Sequence, residues 1–261
     1  MLIPIGDQLA EVGVFGGSGF YELQTDATAA EDVELDTPYG APAGPITIAT
    51  VAGRRVAFLP RHGREHTYAA HRVPFRANVW ALASLGVRCL LGPCSAVSLR
   101  RGMEPGDFVV VDQLVDRTWG RRDTFHDVGG DEPTSGGVHH QSFAEPFDTA
   151  VRAVLVDAVR AAGAQVHDGA TMVVVNGPRS ATRAEHAWFR DMGWDIVNMT
   201  GYPEAVLAAE AGVPYASVAL VADCDAGGAA DATTAPVVPT VMHDQVERLR
   251  AVLAAAVPLL P

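Results

Sequence analysis

Short β-branched hydrophobic runs alternate along this chain with longer amphipathic segments. The runs have the length of buried strands and lie close to turn residues. They predict strands at residues 12–15, 55–59, 108–112, 171–175 and 215–221. The amphipathic segments start at a proline or an aspartate and stop at a glycine, as helices commonly do. They predict helices at residues 74–85, 148–163 and 203–212.

This alternation predicts an α/β fold, in which one domain of residues 1–261 contains a mixed central β-sheet flanked by helices. No linker, composition shift or internal repeat divides the sequence. Residues 120–140 and 226–235 are polar or rich in glycine and alanine. They predict long loops of the kind that form lids or interfaces.

Composition narrows the class of protein. A chain of 261 residues that is 48% hydrophobic can bury a full core. We expect a soluble, cytoplasmic protein, because residues 1–10 lack a signal-peptide pattern and no apolar run has the length of a membrane span. The three cysteines, Cys89, Cys94 and Cys224, form no C-x-x-C pair and predict neither a disulfide framework nor a thiolate zinc site.

The charged residues limit the kinds of ligand and cofactor that this chain can bind. The formal net charge of -12 argues against nucleic-acid binding, which depends on cationic neutralisation of phosphates. All 19 basic residues are arginine, which excludes a P-loop lysine, a Schiff-base lysine and pyridoxal-phosphate chemistry. An anion site would have to use arginine, backbone amides and hydroxyls.

The glycine-rich turn GGSG at residues 16–19 follows the first predicted strand and contains Ser18. Glycines that adopt positive φ let backbone amides converge on an anion. The turn is not a P-loop, and Phe15 and Phe20 break the glycine spacing of a dinucleotide site. A nucleophile elbow would need a glycine at position 20. A phosphate site and a structural turn both stay open.

Arg61 and His62 follow the predicted strand at residues 55–59, where α/β proteins usually bind ligands. A guanidinium at that place can bind phosphate through two hydrogen bonds. The alternative is a metal pair of His62 and His66, but Gly63 interrupts a helix and no third ligand has suitable spacing. We therefore expect no metal.

Asp223 and Asp225 follow the last hydrophobic run. In extended geometry, residues i and i+2 face the same side. A carboxylate accepts a hydrogen bond from an exocyclic amine, and a protonated carboxyl donates to a ring nitrogen, so the pair suits an adenine edge. The alternative is a solvated pair or a cation site.

Residues 176–185 predict a turn and the start of a helix, and residues 197–200 follow them. Asn198, Met199 and Thr200 offer an amide, a soft apolar side chain and a hydroxyl close together. This set would suit a sugar beside an anion.

Taken in order, several fragments resemble the trimeric purine-nucleoside phosphorylases, and within them the methylthioadenosine phosphorylase branch. The resemblance covers residues 12–225. The fragments are GGSG, PRHGREH, NVWAL, PGDFVVVDQLVDRT, AEPF, NGPR, RAE, VNMTGYPEAVLAAEAG and VADCD.

The resemblance implies positions for both substrates. Phosphate would lie near Ser18, Arg61, His62 and Thr200 and near the backbone around Cys94 and Ser95. The nucleoside would contact Ser180, Asn198, Met199, Asp223, Asp225 and, from a neighbouring subunit, His140. A homotrimer is therefore implied. Members specific for 6-oxopurines usually carry Asn where this chain has Asp223, so the two aspartates favour a 6-amino base.

The implied reaction is phosphorolysis of 5'-methylthioadenosine, or a related 5'-modified adenosine, in purine salvage. Inorganic phosphate would displace the purine through a ribosyl cation-like transition state, and no other cofactor is implied. Asp223 would protonate or hydrogen-bond N7 of the leaving purine. Burial beside a second carboxylate would favour its protonated form.

The sequence departs from the family at three places. Ser180 stands where a Phe usually packs on the purine, Ala181 replaces a Ser, and a glycine usual near Val97 is missing. Loss of the aromatic contact would cost about 1–3 kcal/mol. The alternatives are a phosphorylase for 5'-halogenated deoxyadenosine, a 6-oxopurine nucleoside phosphorylase, a hydrolytic nucleosidase and a non-catalytic nucleoside-binding protein.

Overall fold

The computed structural model describes residues 8–17, 30–127, 138–225, 227 and 239–261. The strands are β1 (Val12–Gly16), β2 (Glu31–Val33), β3 (Ile46–Val51), β4 (Arg54–Pro60), β5 (Cys89–Leu91), β6 (Cys94–Ser98), β7 (Phe108–Val110), β8 (Gln113–Arg117), β9 (Val166–Asp168), β10 (Thr171–Val175), β11 (Ile196–Asn198), β12 (Tyr215–Ala216) and β13 (Val218–Cys224). The helices are α1 (Phe75–Ser84), α2 (Thr149–Ala161), α3 (Arg183–Asp191), α4 (Gly201–Glu210) and α5 (Pro239–Ala256), with short 3₁₀ helices at Ala70–Arg72 and Val257–Leu259.

The predicted α/β class is confirmed, but the described strands form two mixed sheets instead of one. The first has the order β12-β5-β1-β4-β3-β2 and the second β8-β10-β11-β6-β13-β7-β9. In the first sheet β1 pairs in parallel with β4 and β5. In the second sheet β6 pairs in parallel with β13 and antiparallel with β11. The single-domain prediction stays a prediction.

The chain passes from the first sheet to the second twice, between β5 and β6 and between β12 and β13, and it returns to the first sheet once, between β11 and β12. The two crossings touch, because the Ser217 hydroxyl donates to the Gly92 carbonyl at 2.7 Å. Gly92 must be a glycine, since a Cβ there would lie 2.0 Å from the Tyr215 hydroxyl oxygen. The crossing explains why the run predicted as one strand at residues 215–221 is two strands with a break at Ser217.

The helices begin close to where the sequence predicts. The Asp148 carboxylate accepts from the Val151 amide at 2.9 Å and caps α2 as expected. The helix start predicted within residues 176–185 is α3, which a reciprocal capping box of Thr182 and Glu185 begins. Helix α4 begins at Gly201, but Tyr202 has non-helical dihedral angles, so the regular part of this helix starts near the predicted Pro203.

Two large apolar clusters fill the interior, and a smaller one of Leu99, Val173, Phe189 and Val197 lies beneath α3. Of the predicted loops, the structure describes residues 120–127 and 138–140 of the first and only Gly227 of the second. Among the helices that the structure describes, none has both the length and the apolar composition needed to cross a membrane.

Candidate active site

A cavity of about 490 Å³ lies where several strands end. Gly17 follows β1, Arg61 and His62 follow β4, and Met199 and Thr200 follow β11. Strand β6 forms part of its wall, and the segment after β10 together with α3 forms another part. The carboxyl ends of strands are the usual place for ligand sites in α/β proteins.

Most of the residues predicted to bind substrates line this one cavity. They are Arg61, His62, Cys94, Ser95, Ser180, Asn198, Met199 and Thr200. Ser18 lies outside the described residues, although its neighbour Gly17 lines the cavity. Within the described part of the chain, the lining does not include Asp223, Asp225 or His140.

Arg61 is a fully buried cation with a carboxylate partner that the sequence did not reveal. Its Nε and Nη2 donate to the two oxygens of Glu204 at 2.5 and 3.0 Å, and Nη1 donates to the Pro93 carbonyl at 3.1 Å. Burial alone would lower the pKa of Arg61, but the charge and hydrogen bonds of Glu204 outweigh it and raise the pKa. Arg61 therefore stays charged, with its charge largely balanced.

Tyr215 completes this buried group, because its hydroxyl donates to Glu204 Oε2 at 3.0 Å. Burial first, and then the Glu204 charge, raise the pKa of Tyr215 well above its usual value. Gly17 lets the guanidinium approach the backbone, since a Cβ at this position would lie 3.1 Å from both Arg61 Nη1 and the Pro93 carbonyl oxygen. The glycine after β1 thus makes room for the arginine.

His62 is neutral, so it serves as a hydrogen-bonding group rather than as a second cation. Burial, helped by the Arg61 charge, lowers its pKa to about 4. Its Nδ1 lies 2.8 Å from the Tyr68 carbonyl oxygen, which can only accept, so Nδ1 carries the proton. In this tautomer Nε2 is an acceptor. A phosphate or ribose hydroxyl could donate to it.

Cys94 and Ser95 begin β6 and bring its backbone to the cavity. The Cys94 thiol lies 3.7 Å from the Ser217 hydroxyl, and burial raises the pKa of Cys94 to about 11. A thiol with this pKa is protonated at neutral pH and is a poor nucleophile. Cys94 therefore contributes shape and backbone to the cavity.

Asn198 organises the start of α4. Its side-chain oxygen accepts from the Thr200 amide at 2.6 Å and the Gly201 amide at 2.8 Å, and its Nδ2 donates to the Ser95 carbonyl at 3.0 Å. The amide group is thus committed to the protein itself, although the residue lines the cavity. The Thr200 hydroxyl, 3.4 Å from the same oxygen, makes a weaker bond and is better placed to turn toward a ligand.

Met199 is held through its backbone by Arg121, which donates to its carbonyl at 2.9 Å. Arg121 also donates to the carbonyls of Asn176 and Tyr202. Burial lowers the pKa of Arg121 to about 10, and its guanidinium stacks over the ring of Phe75. One half-buried guanidinium therefore holds three backbone carbonyls, one of which belongs to the lining residue Met199.

The two aspartates have separate environments. Asp223 lies beside the lining residue Ala222, and its Oδ1 accepts from the Cys224 amide at 2.8 Å. Strand β13 has a register irregularity between Val221 and Asp223, so the regular extended geometry behind the prediction does not hold. Asp225 Oδ2 lies 2.6 Å from His186 Nδ1. The carboxylate predicted to face the nucleoside is instead engaged with α3.

A second group of lining residues is apolar. Val97, Ala181 and Val197 line the cavity and belong to, or pack on, the small cluster that contains Phe189. His186, whose ring centroid is 6.4 Å from that of Phe189, lines the cavity beside them. The cavity thus joins a polar part around Arg61 to an apolar part with one imidazole.

His62 and His66, which the sequence offered as an alternative metal pair, form a stacked pair of rings. The His62 and His66 rings lie 4.6 Å apart with an interplanar angle of 12°. In the part of the chain that the structure describes, no group of three His, Cys, Asp or Glu side chains is arranged to hold a metal ion.

Comparison with known proteins identifies the family. The family described as the phosphorylase superfamily matches residues 11–258. The chain belongs to this superfamily. It is 50% identical over 247 residues to the S-methyl-5'-thioadenosine phosphorylase of Mycobacterium tuberculosis, which covers 94% of this chain and 88% of the relative.

Two further relatives agree with this assignment. A purine nucleoside phosphorylase of Streptomyces coelicolor is 47% identical, over 97% of this chain and 90% of the relative. The solved methylthioadenosine phosphorylase from Schistosoma mansoni in complex with adenine has a TM-score of 0.86 at 37% identity, over 96% of this chain and 91% of that one. The phosphorylase fold predicted from the sequence is confirmed.

Three residues of this phosphorylase site were missed by sequence reasoning: Glu204, Arg121 and His186. A signal existed for Glu204, an acid within the apolar helix run at residues 203–212. Such an acid is buried only when it is paired. Nothing in the sequence marks Arg121 or His186, because each acts through contacts with segments far away along the chain.

Proposed function

We propose that this chain catalyses phosphorolysis of 5'-methylthioadenosine, or of a related 5'-modified adenosine, with inorganic phosphate. The products are adenine and 5-methylthioribose 1-phosphate, and the enzyme is a pentosyltransferase. The observation that carries this proposal is the single cavity that joins a polar group around Arg61 to an apolar wall. The names of the relatives supply the substrate class.

Phosphate would bind in the polar part of the cavity. Arg61 has N–H groups beyond those used by Glu204 and Pro93, because a guanidinium carries five. The Thr200 hydroxyl and the backbone around Ser95 add donors, and neutral His62 accepts from a protonated phosphate oxygen. Proximity of this phosphate to the anomeric carbon then supplies much of the rate enhancement.

The purine is a poor leaving group as an anion, so it needs a proton or a hydrogen bond at N7. We assign this role to Asp223, beside the lining residue Ala222. General acid assistance of this kind contributes roughly 10²–10⁴-fold to a rate. The ribose would lie over Met199, whose backbone Arg121 holds in place.

The decisive experiment measures adenine release from 5'-methylthioadenosine, other 5'-modified adenosines and inosine, each with and without phosphate. We expect phosphate-dependent release from the 5'-methylthio substrate. Equal release without phosphate would identify a hydrolase, and binding without turnover would identify a nucleoside-binding protein. Asp223→Ala should abolish most turnover in a folded protein, whereas near-normal rates would refute its role as the acid.

A second candidate is a 6-oxopurine nucleoside phosphorylase. The 47% identical Streptomyces coelicolor relative, which is named purine nucleoside phosphorylase, favours it. The two candidates separate when kcat/KM is compared for 5'-methylthioadenosine and 5'-methylthioinosine, which differ in the substituent at C6 of the base and in the proton on N1.

The assembly and location belong to the same proposal. We propose a cytoplasmic homotrimer that acts in purine salvage, with phosphate as co-substrate and no other cofactor. His140 is exposed next to Val138, which is 80% exposed, and this suits a segment covered by a neighbouring subunit. Light scattering should give a mass close to three times 27.5 kDa. His140→Ala should raise the KM for the nucleoside, whereas an unchanged KM would contradict the shared site.

A further inference from the structure

Helix α3 presents one imidazole, that of His186, to the cavity. The residue is 8% exposed and lines the cavity wall. The other lining residues from this segment, Pro178, Ser180 and Ala181, have small side chains. His186 is therefore the large side chain that this wall offers to a ligand.

Asp225 fixes the tautomer of this ring. Its Oδ2 lies 2.6 Å from His186 Nδ1, and its Oδ1 accepts from Arg190 Nη1 at 3.1 Å. Burial would raise the pKa of Asp225, but its contacts with His186 and Arg190 lower it below its usual value. An ionised carboxylate can only accept hydrogen bonds, so His186 Nδ1 must carry a proton. In the neutral ring, Nε2 is then an acceptor.

The surroundings point to the base rather than to phosphate or ribose. Val97, Ala181 and Val197 line the cavity beside His186 and form an apolar wall with Phe189. An apolar wall with one hydrogen-bonding group suits a flat heteroaromatic ring with a polar edge. The anion-binding groups belong to the other group of lining residues, around Arg61.

We infer that His186 is a specificity-determining residue, whose Nε2 accepts a hydrogen bond from the exocyclic 6-amino group of the purine. Asp225 is a positioning residue, which acts on the substrate only through the tautomer that it imposes on His186. This inference rests on the proposed function, because it concerns the base of the nucleoside.

The same geometry disfavours a 6-oxopurine. A carbonyl at C6 is an acceptor, so it would face the lone pair of Nε2 with no proton between them. Sites that hydrogen-bond one partner reject the analogue that leaves their polar group unpaired. The preference for amino over oxo substrates should therefore reside in one nitrogen atom of this chain.

The test compares kcat/KM for 5'-methylthioadenosine and 5'-methylthioinosine in the wild type, His186→Ala and Asp225→Asn. His186→Ala should lower the amino-to-oxo ratio about tenfold, as expected for one neutral hydrogen bond and its mismatch. The KM for phosphate should stay within twofold of the wild-type value. A ratio unchanged in the folded variant, or an equal fall for both substrates, would overturn the inference.

Asp225→Asn tests the tautomer itself. Arg190 donates to Oδ1, so the Asn oxygen should remain on Arg190 and its NH₂ should face His186 Nδ1. The proton would then move to Nε2, which becomes a donor. We expect the amino-to-oxo ratio to shift further toward the oxo substrate than in His186→Ala. An unchanged ratio would show that Asp225 does not act through the imidazole.

His167→Gln is the matched control. His167 Nε2 lies 2.8 Å from Asp107 Oδ2, in another histidine–aspartate pair that does not belong to the described lining of the cavity. Breaking this pair should leave the amino-to-oxo ratio unchanged. A comparable change in ratio would show that the effect of His186→Ala arises from general destabilisation, and the inference would fail.

Two further measurements do not depend on turnover. In the ligand-free protein, ¹⁵N NMR of the neutral His186 ring should show Nε2 without a proton, and the Nε2 resonance should shift when adenine is added. A neutral ring with the proton on Nε2 would contradict the inference. Calorimetry should show adenine binding more tightly than hypoxanthine, with the difference reduced in His186→Ala. If no nucleoside is cleaved at all, the proposed function fails, yet these two measurements still decide the role of His186.

Discussion

The buried pair of Arg61 and Glu204 gives the sharpest stability prediction. Arg61 is 1% exposed and Glu204 is fully buried, and they share two hydrogen bonds. Glu204→Gln keeps the shape of the side chain but removes the negative charge. The Arg61 cation is then left in a buried site with one neutral acceptor where it had a carboxylate.

The cost follows from this geometry. Removing one partner of a buried ion pair typically destabilises a protein by about 3–5 kcal/mol. Since the Gln oxygen can still accept one hydrogen bond, we expect the lower end, about 3 kcal/mol. For a protein of this size, such a loss corresponds to a decrease in Tm of about 6–12 °C. Differential scanning calorimetry in phosphate-free buffer measures it.

Phosphate should reverse part of the loss. A ligand that binds only the folded state stabilises it according to its concentration and affinity. Without Glu204, Arg61 carries an unbalanced charge next to the cavity, so phosphate should raise the Tm of the variant more than that of the wild type. An equal phosphate shift in both proteins would contradict the placement of phosphate beside Arg61.

Glu185→Gln is the matched control. Glu185 also forms a two-point pair with an arginine, Arg179, at 2.8 and 2.8 Å, but this arginine is on the surface. Exposed pairs contribute little because water and salt screen them. The control should melt close to the wild type. If Glu204→Gln also melts at the wild-type temperature, the buried pair of Arg61 and Glu204 contributes no more to stability than the exposed pair, and the prediction is refuted.

Three further predictions concern His62, Arg121 and Cys94. Burial and the Arg61 charge lower the pKa of His62 to about 4, so between pH 4 and pH 6.5 the unfolded chain binds a proton there that the folded protein does not. Stability should therefore fall as pH falls from about 6.5 to about 4. His62→Gln should make Tm depend less on pH in this window. Arg121→Lys loses the fork that holds Met199, so the KM for nucleoside should rise about tenfold with little change for phosphate; equal effects on both would contradict this. Because burial raises the pKa of Cys94 to about 11, iodoacetamide at pH 8 should modify the half-buried Cys224 first, as mass spectrometry would show.

Local sequence rules predicted the framework well. The runs at residues 55–59 and 171–175 are strands, and the cap at Asp148 is present, because each depends on neighbours in the sequence. The residues at strand ends, Arg61 and Thr200, also lie in one cavity as predicted. For Arg61 the prediction needed only the end of a predicted strand, whereas no strand was predicted before Thr200, and the resemblance to the family implied its place near phosphate.

Contacts between side chains far apart in the sequence could not be predicted from local sequence rules. Glu204 meets Arg61 across 143 positions, and His186 meets Asp225 across 39. The aspartate pair shows the limit clearly, since the prediction that both carboxylates share one side assumed a regular strand. The irregularity of β13 before Asp223, and the end of the strand at Cys224, place Asp225 against α3.

The balanced charge of Arg61 has a consequence for the proposed reaction. Phosphorolysis through a ribosyl cation-like transition state develops positive charge on the sugar, next to the attacking phosphate. A phosphate whose charge was cancelled by an unpaired arginine would stabilise that cation less. Glu204 offsets the arginine, and His62 is neutral, so the phosphate keeps more of its negative charge while hydrogen bonds hold it in place. Phosphate therefore binds less tightly than it would to an unpaired arginine, but its attraction to the ribosyl cation is stronger. This attraction grows as the transition state forms, and interactions of this kind raise kcat.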